Sequence, residues 1–213
     1  MHPTRDTTLL LPELVSNRAR DDPGDVFARI PVGPAYSNGF RDVTNVQLCN
    51  AMNFIASLLI KACGQSNTFE TLAYIGPMDL RYSIIMLAGM KAGYKVSSLC
   101  RNPFRYTDRD CLKVFLPSPR NSVQAHVALL TGLQCARLVI TEPQAPCVPA
   151  ILGELKLHTM VLPSLQQLLT VGEIDNVPFQ KTFAVAKNDP VFVLHTSGST
   201  GKILLRRVEW CTC

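Results

Sequence analysis

Pro190-Val191-Phe192-Val193-Leu194-His195-Thr196-Ser197-Gly198-Ser199-Thr200-Gly201-Lys202 runs an apolar strand straight into a turn of glycines and hydroxyls. Glycine lets a backbone approach an anion closely and take positive φ. Successive N–H groups in such a turn make a concave anion nest. Ser and Thr hydroxyls add donors for phosphate oxygens. The physical reading is a loop that wraps a polyphosphate. Two other readings compete with it. Composition alone also fits an ordinary Gly/Ser turn. A Walker loop needs four residues between its glycines and Ser or Thr after the lysine. Here two residues separate Gly198 from Gly201 and Ile203 follows Lys202, so the Walker reading fails. His195, at the strand exit, fits either a packed or a site-lining role, since its unperturbed pKa suits both.

Working back from that strand, apolar runs alternate with helical periodicity. Leu9–Arg20 reads as a short amphipathic helix and Pro31–Gly39 as a loop broken by Pro and Gly. Thr44 opens a helix, with Gln47 at capping-box spacing. Val46, Leu48, Ala51, Phe54, Ile55, Leu58 and Leu59 then recur at helical spacing. Leu72–Ile75 is a strand ending at Gly76-Pro77, and Asp79–Ala92 is a helix stopped by Gly93. Helices follow over Asn121–Leu133, capped by Asn121 or Ser122, then Val148–Leu155 and Ser164–Leu169. Strands fall at Arg137–Ile140 and Thr159–Leu162. Strands alternating with helices imply βαβ units, a parallel sheet and right-handed crossovers. The predicted fold is α/β, an incomplete, doubly wound, mainly parallel sheet with helices on both faces.

The 213 residues suffice for one large domain or two small ones, and 47% hydrophobic against 17% charged is a globular composition. No apolar run reaches the roughly 18 residues that span a bilayer. Met1–Thr8 lacks the apolar core of a signal peptide, so the expectation is a cytoplasmic protein without membrane contact. Eight scattered cysteines then read as reduced thiols. Cys211 and Cys213 have no Cys/His partner at zinc-site spacing, so no metal ligand set is expected. The net charge of +5 forms no basic stripe with interleaved aromatics, so no nucleic-acid partner is expected. Instead, Val96–Lys113 and Lys202–Cys213 each carry +2, and together they hold four of the eight cysteines and the single Trp210.

The order Thr196-Ser197-Gly198-Ser199-Thr200-Gly201 after an apolar strand resembles the phosphate loop of the adenylate-forming superfamily. That superfamily includes acyl-CoA synthetases, luciferases and the adenylation domains of nonribosomal peptide synthetases. Val43-Thr44 with Leu48 resembles its first helix signature, and Leu87–Gly93, with Lys91-Ala92-Gly93, the helix end before a sheet strand. Thr68–Leu80 and Leu116–Ser122, with Ser118-Pro119-Arg120-Asn121-Ser122, resemble fungal synthetase-like enzymes. Those join an adenylation domain to a carrier domain and a reductase or thioesterase. The resemblance spans residues 10–201 apart from 96–113.

The resemblance implies the N-terminal part of the adenylate-forming fold, with ATP and magnesium as cofactors. A carboxylic acid substrate would attack the α-phosphate of ATP, and a carrier phosphopantetheine or CoA thiol would take the acyl group. Thr196, Ser197, Gly198, Ser199, Thr200 and Gly201 would contact the β- and γ-phosphates, with His195 and Lys202 lining the site. The sequence departs from the family after Gly201. The family continues with any residue, Pro and Lys; here Lys202 precedes Ile203 and Leu204. The family's later adenine, magnesium and ribose motifs, its hinge and its small C-terminal domain with the adenylation lysine are not in this sequence. No catalytic residue is therefore assigned.

The expected organisation is a truncated adenylation domain over 1–201, with a foreign insertion at 96–113, and a non-family tail over 202–213. Val96-Ser97 can be encoded by a donor-like GTAAGT, Thr107-Asp108 by a branch-like ACTGAC and Gly201-Lys202 by GGTAAG, so both segments read as translated intron. A sheet stopping at the loop strand would expose an edge and favour aggregation. Such a chain is expected to be inactive alone. The alternatives are a nucleotide-binding or regulatory remnant, and an interaction protein that binds no nucleotide.

Overall fold

The computed structural model describes residues 9–33, 36–66, 70–77, 79–94, 114–115, 122–179, 181–186, 190–195 and 205–209. Helix α1 (Leu11–Asp21) starts with Pro12 in its first turn, where the missing N–H costs nothing, and places Arg18 and Arg20 in its last turn. Strands β1 (Val26–Pro31) and β2 (Phe40–Thr44) form a separate antiparallel hairpin. The expected Pro31–Gly39 loop is thus shorter: Pro31 closes β1 and Tyr36–Asn38 forms a 3-10 turn. Both strands are largely solvated, so neither carries the strict apolar alternation that marks a strand.

Thr44 ends β2 and caps α2 (Asn45–Cys63) in the expected capping box. Its Oγ1 accepts the Gln47 N–H at 3.4 Å while Gln47 Oε1 accepts the Thr44 N–H at 3.0 Å. By length and a mean hydropathy of 1.4, α2 is apolar enough to cross a membrane, a property the run-length criterion did not register. Its Leu48, Met52, Ile55 and Leu59 are instead buried in the domain core.

The second sheet is central. β3 (Leu72–Ile75) leads to α3 (Arg81–Lys91) and β4 (Val114–Phe115). α4 (Val123–Gly132), capped by Ser122, leads to β5 (Arg137–Thr141), and α5 (Val148–Glu154) to β6 (His158–Leu162). α6 (Leu165–Leu169) has a second capping box, Ser164 with Gln167, and α7 (Phe183–Ala186) precedes β7 (Pro190–His195) and β8 (Leu205–Glu209). The strand order is β6-β5-β3-β4-β7-β8. The first five are mutually parallel and β8 is antiparallel to β7. β8 lies inside the segment 202–213 that the sequence separates as a tail, so β7 is not the sheet edge that the sequence reading expected.

Alternate residues of β3 enter two cores. Leu72 and Tyr74 pack with α2, α3 and α6 on one face. Ala73 and Ile75 pack with α4 and α5 on the other. The sheet is therefore covered by helices on both faces. Two residues past the end of α3 stands Gly93, whose φ is +79° and whose Cβ, if present, would stand 2.8 Å from the Ser66 carbonyl oxygen.

The last residue of α3, Lys91, is 2% exposed. Burial lowers its pKa below the ordinary value, with the neighbouring Cys49 opposing that shift. Between the lowered value and 10.5 the unfolded chain holds more protons at this residue, so its contribution makes stability rise with pH. Burial also drives the Cys135 thiol up to about 11, which acts in the opposite sense above the ordinary thiol range. Comparison with Lys91→Met isolates the lysine. Wild-type stability in urea should gain on the variant as pH rises from neutrality towards 10.5; a constant or shrinking difference would contradict the assignment.

Candidate functional site

The sheet register defines the carboxyl edge at which β7 ends. Ala73 aligns with Phe115 and Phe115 with Val193, while Ile75 aligns with Ile140 and Ile140 with Val161. Two residues beyond the Ala73 level, Ile75 and His195 leave the sheet together at its carboxyl edge. With parallel strands about 4.8 Å apart, β3 and β7 exit roughly 10 Å from each other, with β4 between. His195 is the last residue of β7 and pairs in register with Leu205 of β8. Thr196, Ser197, Gly198, Ser199, Thr200, Gly201 and Lys202 lie outside the described residues.

In open α/β sheets, ligands bind outside the carboxyl ends where successive connections leave to opposite faces. β3 meets that condition on both sides. Its connection runs to α3 on the first face, while those of β4 and β5 run to α4 and α5 on the second. The β3–α3 turn is thus the described wall of this crevice. Its helix begins two residues later than Asp79, with Leu80 as N-cap, and Asp79 Oδ1 accepts the Arg81 N–H at 2.9 Å. The same carboxylate takes the Arg81 guanidinium, Nη2 to Oδ2 at 2.6 Å and Nε to Oδ1 at 3.0 Å. That hydrogen bonding raises the guanidinium pKa against the opposing effect of burial.

Below the turn, Tyr74 is fully buried and meets Tyr82 edge to face, with ring centroids 5.1 Å apart. Burial pushes both phenols above their ordinary value, so both are neutral at physiological pH. Gly76 fits only as glycine: a Cβ would lie 2.3 Å from the Tyr74 hydroxyl oxygen and 2.6 Å from Cζ. The sequence did not mark these residues as site-forming. The available signals were Gly76-Pro77 directly after a buried strand, and Asp79 two positions before Arg81.

The opposite, amino edge holds a cavity of 290 Å³ beside Arg137, His158 and Cys63. There Arg137 pairs with Glu70, donates to the Cys63 carbonyl at 3.4 Å and lies 5.8 Å from the Tyr94 ring centroid. Its guanidinium is engaged in fastening α2 to the sheet.

No protein-family model matches the chain. Over 194 residues it is 31% identical to a carboxylic acid reductase of Neurospora crassa, covering 90% of this chain and 17% of that protein. It is 29% identical to the isocyanide synthase-NRPS hybrid crmA of Aspergillus fumigatus, covering 90% of this chain and 12% of that protein. Among solved structures, the N-terminal domain of FACL13 from Mycobacterium tuberculosis superposes with a TM-score of 0.63 at 17% identity, covering 92% of this chain and 44% of that one. ATP-bound MatB from Rhodopseudomonas palustris superposes with a TM-score of 0.59 at 13% identity, covering 92% and 34%. The chain thus has the fold of the N-terminal part of adenylate-forming enzymes. It is homologous to a part of these two fungal proteins, and it spans less than a fifth of either one's length.

Gly76→Ala should lower stability by about 1–3 kcal/mol, the usual cost of forcing atoms into a packed site. Chemical denaturation measures it, and a neutral result would mean that the turn does not press on Tyr74.

Proposed function

We propose that this chain supplies the ATP-phosphate-binding part of an adenylation domain whose whole protein activates a carboxylic acid. The observation that supports the reading is the residue order of Thr196–Gly201 directly after β7 in the sequence. That run has the superfamily's residue order, and β7 ends at the carboxyl edge of a sheet with that superfamily's fold. In the whole protein, a substrate carboxylate oxygen would attack the α-phosphorus of ATP, forming an acyl-adenylate and releasing pyrophosphate. A phosphopantetheine or CoA thiol would then displace AMP. This chain's share would be to hold the β- and γ-phosphates on backbone N–H and hydroxyl groups, which make charge-assisted hydrogen bonds to phosphate oxygens. Magnesium would add charge neutralisation on those phosphates. Among the described residues no group of three His, Cys, Asp or Glu side chains could hold a metal, so no step is routed through it.

We also propose that residues 96–113 are an insertion in the α3–β4 crossover. α3 ends at Lys91 and β4 begins at Val114. Without 96–113 the connection is Ala92 to Lys95, within the two to six residues usual between a helix and the next strand. Gly93 already ends the helix and Tyr94 is fully buried, its hydroxyl donating to the Gly64 carbonyl at 3.0 Å. The deletion of 96–113 should keep the helical content and raise solubility and melting temperature. Loss of folding on deletion, or transcripts that uniformly retain the segment, would refute an insertion of intron origin.

Calorimetric titration of the chain with magnesium-ATP tests the first proposal. Binding is expected. Gly198→Val with Gly201→Val should weaken it at least about tenfold, the scale of one lost charge-assisted hydrogen bond. No binding by the wild type refutes the phosphate-loop reading. Binding without pyrophosphate exchange places the missing chemistry elsewhere in the whole protein.

A further inference from the structure

The cation of Lys91 is the hub of a polar knot that joins four segments of the chain. Its Nζ donates to Ser16 Oγ of α1 at 3.1 Å, to Asn53 Oδ1 of α2 at 2.8 Å and to Asn176 Oδ1 at 2.6 Å. An ammonium has three N–H donors, and here three oxygens receive them. Asn53 is 1% exposed, and its Oδ1 also accepts the Val177 N–H at 3.3 Å. No carboxylate stands within ion-pair distance of Lys91 among the described residues.

Asn176 and Val177 belong to the stretch 171–179, which has no regular secondary structure and runs from α6 towards α7 and β7. No backbone–backbone hydrogen bond holds it among the described residues. Val177 and Phe179 are half-buried against the first core. Its polar fastening is therefore the pair of bonds made by Asn176 and Val177, and both end on the Lys91–Asn53 knot. A segment with few buried apolar contacts and no backbone ladder belongs to the low-stability end of a domain and opens separately from its sheet.

We propose that Lys91 is a pin, and that 171–179 is a strap which opens as a unit when the pin is removed while the central sheet stays closed. The strap lies between α6 and α7 in the chain that leads to β7, so the pin couples the α1–α2–α3 layer to that connection. The geometry of the pin does not depend on whether the loop binds ATP.

Hydrogen exchange on the full chain, followed residue by residue at neutral pH, tests the proposal with two variants. Asn176→Ala removes an exposed strap residue and leaves Ser16 and Asn53 on Lys91; Lys91→Met removes the hub. Both should speed exchange of the Val177 amide at least tenfold while β3 and β5 amides keep their wild-type rates. The proposal is overturned if Asn176→Ala leaves Val177 unchanged, or if the sheet amides accelerate as much as the strap. Should Lys91→Met fail to fold, Asn176→Ala still decides between those outcomes.

Discussion

Four consecutive residues, Leu72 to Ile75, are buried on both sides of the sheet, and the rest of the molecule takes its position from them. A strand with no solvated face needs a helical layer above and below. That requirement sends α3 to one face and brings α4 and α5 to the other. The divergence of these connections creates a crevice at the carboxyl end of β3. The register through β4 then brings the exit of β7 to the same edge. A buried central strand thus sets the carboxyl edge at which β3 and β7 both end.

The elements with strong local chemistry were legible in the sequence. Thr44 with Gln47 forms its box, Gly93 takes the positive φ that stops α3, and the apolar run at Leu72–Ile75 is the strand it resembles. The superfamily resemblance was legible because it rests on residue order, a glycine-hydroxyl run directly after an apolar strand. The β1–β2 hairpin was not, because Val26, Phe27 and Phe40 are all exposed and the strands present no alternating face. Such strands are held by backbone pairing and by pairs such as Arg29 with Asp42, at 2.7 Å. Neither leaves a periodic signal.

The crevice wall and the polar knot were illegible for a different reason. Asp79 and Arg81 look like ordinary helix-start charges until the carboxylate is seen closing on both the backbone and the guanidinium. Lys91 looks like a helix-terminal cation complementing the helix dipole. Only the tertiary fold brings Ser16, Asn53 and Asn176 to it from distant parts of the chain. Long-range satisfaction of a buried donor is a property of the packing, not of any sequence window.

β8 shows how little a strand pairing asks of composition. The sequence around it is basic and differs in character from what precedes it, yet Leu205–Glu209 adds to β7 in antiparallel register. Backbone N–H and C=O groups are the same whatever the side chains, so a foreign segment of adequate β-propensity can complete a ladder.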